Sequence, residues 1–310
     1  MLRHIYKPTI AGICLLMLIA CGPPGGTRNI GLFTYFMDNG DGLHLAYSRD
    51  GYQWKPLKNG ATFLQPSVGS KLMRDPSMFQ DFDGMFHLVW TTGWEDKGFG
   101  YASSKDLIKW SEQRFIPVNE KLKALNTWAP EIFYERKNKQ YYIIYSSTIP
   151  GLFPETNDND SEKNHRLYSV TTRDFVTFSE PKLFFNPEFN CIDGTLLAAN
   201  NKLYLIFKDE RMGMKTLRIS TAENIDARWS VPSEPITKLN WIEGPSAIRL
   251  GDSWMIYFDH YKDNQYYGAL RSQDLKQWED VSTQTSFPKG MRHGSVLRIS
   301  KTILDGLLKQ

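Results

Sequence analysis

The stretch Leu45-Ala-Tyr-Ser-Arg-Asp-Gly-Tyr-Gln-Trp54 reads as a short strand, a polar turn and an aromatic plug, and it recurs along the chain. Its counterparts are Gly100-Tyr-Ala-Ser-Ser-Lys-Asp-Leu-Ile-Lys-Trp110, Leu167-Tyr-Ser-Val-Thr-Thr-Arg-Asp-Phe-Val-Thr-Phe178, Leu217-Arg-Ile-Ser-Thr-Ala-Glu-Asn-Ile-Asp-Ala-Arg-Trp229 and Gly268-Ala-Leu-Arg-Ser-Gln-Asp-Leu-Lys-Gln-Trp278. The closing aromatics fall about every fifty residues, the period of a β-propeller blade. Ahead of each copy lies a second apolar run: Gly31-Leu-Phe-Thr-Tyr-Phe36, Phe86-His-Leu-Val-Trp90, Tyr141-Tyr-Ile-Ile-Tyr145, Leu203-Tyr-Leu-Ile-Phe207 and Trp254-Met-Ile-Tyr-Phe258. Aromatic and β-branched runs bounded by Gly, Asp and Asn are strands. Four copies have a third strand further upstream, at Ser77-Met-Phe, Ile132-Phe-Tyr, Thr195-Leu-Leu and Ser246-Ala-Ile. The first copy lacks one, and Ser295-Val-Leu-Arg-Ile299 near the carboxyl end supplies it. The expected fold is all-β: a five-bladed β-propeller whose first blade is closed by the C-terminal strand, leaving few open strand edges. A flat β-sandwich does not account for five repeats with a split first member.

Composition narrows the function classes. The 310 residues are 23% charged, 41% hydrophobic and 14% aromatic, with formal net charge +3. The first twenty residues carry Arg3 and Lys7 and no acid, so without them the charge falls by two, to +1. That balance offers no basic excess for nucleic acid, and so many rings exclude a disordered tail. The run from Pro8 to Ala20 is too short for a typical spanning helix. With Arg3 and Lys7 before it, residues 1–20 read as an export signal. Leu18-Ile-Ala-Cys21 resembles a bacterial lipobox, with Cys21 the site of lipid attachment and residues 21–28 a tether. The expected protein is then an extracytoplasmic, lipid-anchored one of the bacterial cell envelope, in contact with the membrane only through its lipid. Cys14 leaves with the signal and Cys21 carries lipid, so Cys191 has no partner and no disulfide is expected. Residues 29–310 form the propeller, expected to be a monomer.

Residues just ahead of the inner strands converge on one face of a propeller. That position reads Asp75 in Arg74-Asp-Pro-Ser77, Glu131 in Trp128-Ala-Pro-Glu131, Asp193 in Ile192-Asp-Gly-Thr195, Glu243 in Ile242-Glu-Gly-Pro-Ser246 and His293 in Arg292-His-Gly-Ser295. An ionisable residue at one equivalent place in every blade is the expectation. Taken singly, an Asp before Pro is a turn former and a Glu before Gly-Pro a solvated one. Four carboxylates and an imidazole around one axis repel and desolvate one another, a cost that marks a functional centre. Two carboxyl groups, one protonated and one ionised, are the equipment of glycoside hydrolysis, and a third can raise the acid's pKa. No Ser-His-Asp set, zinc spacing or phosphate loop competes.

On these motifs the sequence resembles glycoside hydrolase family 43 over residues 29 to 300, a family of five-bladed propellers that includes arabinofuranosidases, arabinanases, β-xylosidases and exo-galactanases. The resemblance implies Asp75 as general base, Asp193 as modulator of the acid's pKa, and Glu243 as general acid. It departs from the pattern at Trp-Ala-Pro-Glu, where the family has Asp and this chain has Glu131, one methylene longer. His293 matches a His-Gly motif near the axis that in some members helps to hold a central water or metal ion. No cofactor is required, and a central ion beside His293 is the one exception the resemblance leaves open. The implied mechanism is single displacement with inversion, with the two carboxyl carbons about 6.5–9.5 Å apart and Glu243 kept protonated by burial and the charge of Asp193.

The loops between the second and third strands of each blade should wall the pocket. They contain Trp94 with Glu95 and Asp96, Asp209-Glu210-Arg211, His260-Tyr261, and Asp38 with Asp41. Trp94 and Trp128 are the expected stacking platforms, and Arg74 and Arg292 the expected partners of sugar hydroxyls or of the carboxylates. Trp54, Trp110, Trp229 and Trp278 stand at repeat positions and belong to blade packing. The long segment from Ile149 to Arg166 would block one side of a cleft, which favours exo action on an oligo- or polysaccharide. An α-L-arabinofuranoside is the first expectation, with β-galactoside and xyloside behind it. The rivals are a non-catalytic glycan-binding lipoprotein on the same fold, a sialidase-like propeller, whose Asp-box turn Ser48–Trp54 resembles at a spacing one residue short, and a protein-docking propeller.

Overall fold

The computed structural model describes residues 30–156 and 163–310. The readings of residues 1–20 as a signal, of Cys21 as the lipidated residue and of 21–28 as a tether lie outside the described residues. So does the middle of the Ile149–Arg166 segment.

The described residues form five antiparallel sheets. Blade 1 begins with β1 (Ile30–Tyr35), β2 (His44–Ser48) and β3 (Lys55–Pro56). Blade 2 holds β4 (Arg74–Gln80), β5 (Phe86–Thr91), β6 (Phe99–Ser104) and β7 (Arg114–Ile116). Blade 3 holds β8 (Trp128–Glu135), β9 (Gln140–Ser147), β10 (Arg166–Thr172) and β11 (Lys182–Phe185). Blade 4 is three-stranded, with β12 (Cys191–Ala199), β13 (Lys202–Asp209) and β14 (Thr216–Ala222). Blade 5 holds β15 (Ile242–Leu250), β16 (Ser253–His260), β17 (Tyr266–Ser272) and β18 (Glu279–Asp280). Then β19 (Val296–Ile299) returns to pair with β1, Ile30 opposite Ile299 and Phe33 opposite Val296, as the inner strand of blade 1. The expected propeller with its split first blade is the fold observed. A helix, α1 (Lys301–Leu307), follows, with Leu304 and Leu307 buried.

Middle strands read as continuous apolar runs because both their faces are covered. In β13, Leu205 and Phe207 pack toward blade 3 while Ile206 packs toward blade 5. In β5, Leu88 and Trp90 face blade 1 and Val89 faces blade 3. Five such clusters, one per blade junction, make the core. The repeat-end aromatics close them. Trp54 packs on Tyr257 of blade 5, Phe178 on Phe99 of blade 2 and Trp229 on Phe185 of blade 3, while Trp110 and Trp278 join the clusters shared with blades 1 and 4. The turn before each aromatic is held by side chains. Asp50 Oδ1 accepts from the backbone N–H groups of Tyr52 and Gln53, and Asp106, Asp174 and Asp274 repeat the pattern. These are Asx-type caps that let the chain reverse without unpaired amides.

Candidate active site

Four inner strands break register at their first residues. The ladders skip between Arg74 and Ser77, Trp128 and Glu131, Ile192 and Thr195, and Glu243 and Ser246. At the second residue of each break the backbone is left-handed: Asp75 at φ 52°, Ala129 at 48°, Asp193 at 55° and Gly244 at 58°. A bulge of this kind turns a side chain away from the ladder toward the axis, and holding a non-glycine residue there costs about 1–3 kcal/mol that the surrounding fold must offset.

This corrects the expectation of five ionisable residues at one equivalent place. Counted back from where pairing resumes, Asp75, Asp193 and His293 are equivalent, and Glu243 stands one residue earlier. Glu131 stands two residues later, level with Ser77, Thr195 and Ser246, so the equivalent residue in blade 3 is Ala129. Glu131 therefore does not join the pocket expected to bind substrate. Its Oε1 accepts from Thr195 Oγ1 at 2.9 Å, burial raises its carboxyl above the ordinary value, and it lies at the head of the channel of about 860 Å³ on the opposite side. It also floors a small axial void whose other walls include Asp75, Asp193 and His293.

The remaining residues meet. A pocket of about 180 Å³ is lined by Arg74, Asp75, Trp94, Trp128, Asp193, Glu243 and His293, together with Thr91, Ile192, Lys208, Glu210 and Tyr261. Asp75 lies between two donors: Thr91 Oγ1 donates to its Oδ2 at 2.8 Å, and His293 Nδ1 stands 3.2 Å from its Oδ1. Burial pushes the Asp75 carboxyl up, but the adjacent His293 charge and hydrogen bond, with Arg74, overturn this and hold it at about 2. Burial works against charge on His293 too, and Asp75, then Asp193 and Glu243, raise it to about 9. Asp193 accepts from the Gly244 N–H at 3.0 Å. Burial is the main reason that its carboxyl rises to about 6, with the Glu243 charge adding and His293 opposing.

Glu243 departs from the sequence reading. Burial pushes its carboxyl up, yet Lys208, whose Nζ lies 2.9 Å from Oε2, holds it below the ordinary value. The group kept near a neutral pKa is its neighbour Asp193. Arg292 does not line the pocket. It braces it, with Nη2 at 3.6 Å from Glu243 Oε1 and Nε at 2.5 Å from Asp259 Oδ2. The central ion that the resemblance left open finds no support in the donor set. The described residues include no group of three or more His, Cys, Asp or Glu side chains placed to hold a metal ion, so His293, whose Nδ1 faces Asp75, has no companion ligands.

The two tryptophans stand edge to face, ring centres 5.8 Å apart, with Trp128 Nε1 donating to the Trp94 carbonyl at 3.0 Å. Each carries a cation on its ring, Arg74 over Trp94 at 4.6 Å and Lys163 over Trp128 at 4.4 Å, so these faces are partly engaged before any sugar arrives. Of the expected wall residues, Trp94, Glu210 and Tyr261 reach the pocket. Asp96 is turned back to Ser70 and Thr92, Asp209 to Arg211 and Arg218, His260 stacks on Tyr266, and Asp41 binds His44. Lys208 and Thr91 were not foreseen. Lys208 had a signal, a lone cation ending the apolar run Leu203-Tyr-Leu-Ile-Phe207; Thr91 had none.

A family model described as a probable glycosyl hydrolase domain, related to glycoside hydrolase family 43, matches residues 30–305. An α-L-arabinofuranosidase of Bifidobacterium longum subsp. longum is 22% identical over 199 residues, which are 57% of this chain and 19% of that protein. The chain thus spans about a fifth of that relative's length. Among solved structures, an exo-β-1,3-galactanase from Phanerochaete chrysosporium superposes with TM-score 0.61 at 13% identity, covering 82% of this chain and 60% of that one. An α-L-arabinofuranosidase from Lactobacillus brevis gives 0.55 at 17% identity, with 68% and 72% covered. An endo-arabinase from Bacteroides thetaiotaomicron gives 0.55 at 16%, with 68% and 80% covered. At these identities the structural likeness is one of fold.

Proposed function

The chain belongs to the family of probable glycosyl hydrolase domains related to glycoside hydrolase family 43, and from that premise we propose that it hydrolyses O-glycosidic bonds by single displacement with inversion. The observation that carries the reading is that Asp75, Asp193 and Glu243, from three different blades, line one small pocket beside Trp94 and Trp128. Asp75, ionised at any pH of interest, draws the proton from the attacking water. Glu243 protonates the leaving oxygen on the other side of the bond. Asp193, raised to about 6 by burial and by the Glu243 charge, keeps a proton beside Glu243 up to that pH. His293 and Thr91 hold the base in place. No step passes through a metal.

The sugar proposed first is a terminal α-L-arabinofuranosyl residue, removed in exo fashion, with galactosyl and xylosyl residues as alternatives. The small volume of the pocket, about 180 Å³, supports release of terminal residues. The site of action, on the reading of residues 1–21, is the bacterial cell envelope, where a lipid on Cys21 would hold a monomeric propeller.

The test is hydrolysis of aryl α-L-arabinofuranosides, β-D-xylosides, β-D-galactosides and β-D-galactofuranosides, with Glu243→Gln alongside. Turnover of one glycoside, loss of about 10²–10⁴-fold in the variant and an inverted anomeric centre in the first-formed product support the reading. A retained anomer overturns the mechanism. Equal silence of both proteins on aryl and oligosaccharide substrates, with glycan binding intact, replaces hydrolysis by the binding function.

A further inference from the structure

Lys208 is 1% exposed, and a buried ammonium is costly unless it is closely paired. It lies on β13 opposite Ile192 of β12, one residue before Asp209, with its Nζ 4.4 Å from the centre of the Tyr261 ring. Two carboxylates hold it: Glu243 Oε2 at 2.9 Å and Glu210 Oε2 at 2.7 Å. Glu210 is itself anchored, because Lys215 Nζ sits 2.5 Å from its Oε1 and donates to its carbonyl at 2.8 Å. The row Lys215, Glu210, Lys208, Glu243 therefore alternates in sign and runs inward from the rim of the pocket.

Glu243 is met from its other side as well. Arg292 stands 3.6 Å from Oε1, but its Nε is committed to Asp259, the residue opposite Glu243 in the β15–β16 ladder. His293, from the same segment as Arg292, is committed to Asp75. The remaining ionisable groups facing Glu243 are Asp75 of β4, Asp193 of β12 and Tyr261 of the loop after β16. Among these cations Lys208 makes the closest contact with Glu243, and it does so as a hydrogen-bond donor to the carboxylate.

We propose that Lys208 is the positioning residue of the general acid: it fixes Glu243 against the pocket wall and sets the pH above which the acid carries no proton. The proposal deepens the hydrolase reading and rests on Glu243 as the acid. Removing the ammonium frees the carboxyl to take up its proton at higher pH. Glu210→Gln has the opposite sign, because it removes a carboxylate that draws on Lys208 and leaves the lysine to Glu243 alone.

The experiment is a carbon-13 titration of the Glu243 carboxyl in the full chain labelled with [¹³C]glutamate, the signal identified by its loss in Glu243→Gln. In Lys208→Met the titration moves up by about one pH unit or more, in Glu210→Gln it moves down, and Lys208→Arg returns it toward wild type. The alkaline limb of kcat/KM moves in the same directions, and KM moves less than kcat. Identical titration in wild type and Lys208→Met overturns the proposal. So does a Glu210→Gln shift in the upward direction, a reading that stands even where Lys208→Met fails to fold. The titration needs no substrate, so a chain without glycosidase activity that still shows the opposed shifts sinks the hydrolase reading and leaves the coupling of Lys208 to Glu243 intact.

Discussion

Asp75 and His293 hold each other charged, and that contact gives the protein a signature in its stability. The folded carboxyl, at about 2, is below the ordinary 3.8, so its contribution is present above the ordinary value and is lost as pH falls through about 2. The folded imidazole, at about 9, is above the ordinary 6.5, so its contribution is present below that value and is lost as pH rises through about 9. His293→Gln is expected to flatten the alkaline part of a plot of Tm against pH, between 6.5 and about 9, and to raise the pH at which Asp75 titrates. A variant whose Tm falls over that range as steeply as wild type would show that the pair is not formed in solution. Asp193 governs a second profile. With the Asp193 proton leaving at about 6, kcat/KM should decline above that pH. A plateau through neutrality would place the catalytic proton elsewhere. At this scale much of the pocket was legible: Asp-Pro, Ile-Asp-Gly, Glu-Gly-Pro and His-Gly mark the starts of inner strands, and each marked residue except Glu131 lines the pocket. Lys208 and Thr91 were not, because they come from the far ends of middle strands, where the pairing of two strands, and not a motif, delivers a side chain to the axis.

Elements explain why Glu131 was misplaced. The four inner strands each carry a register break at their first residues, and the break is invisible to a count of residues between Pro and the next apolar run. In blade 3 the left-handed position falls to Ala129 and the acid is carried two residues further, past the turn and into the channel on the opposite side. The short outer strands β3, β7, β11 and β18 escaped notice for a simpler reason: two to four residues are too few to show any period. The bulge also makes a prediction at Gly244. Its backbone is left-handed, and a Cβ there would fall 2.3 Å from Cγ of the His293 ring. Gly244→Ala should therefore displace the imidazole from Asp75 and lower kcat/KM by about 10²-fold, with the His293 ring resonances moved in the NMR spectrum. Unchanged activity and unchanged ring shifts would mean that the ring has room the geometry does not allow.

At the scale of the whole molecule the ring was legible from the start, because the one blade missing an inner strand and the one unclaimed strand near the carboxyl end complete each other. The pairing of β19 with β1 fastens the circle, and the segment leading into it carries Arg292 and His293. A chain stopped before Arg292 should lose the cooperative thermal transition, and retention of a sharp transition would show that four whole blades and an open first blade are stable by themselves. The same arrangement turns the order of synthesis into a safeguard. Asp75, Asp193 and Glu243 are made first and are spread over three blades, while the His293 imidazole and the Arg292 guanidinium follow them, on the segment that leads into the closing strand. An interrupted or clipped polypeptide therefore holds the carboxylates and cannot aim them, so on the proposed reading the site is armed only by the segment that closes the ring.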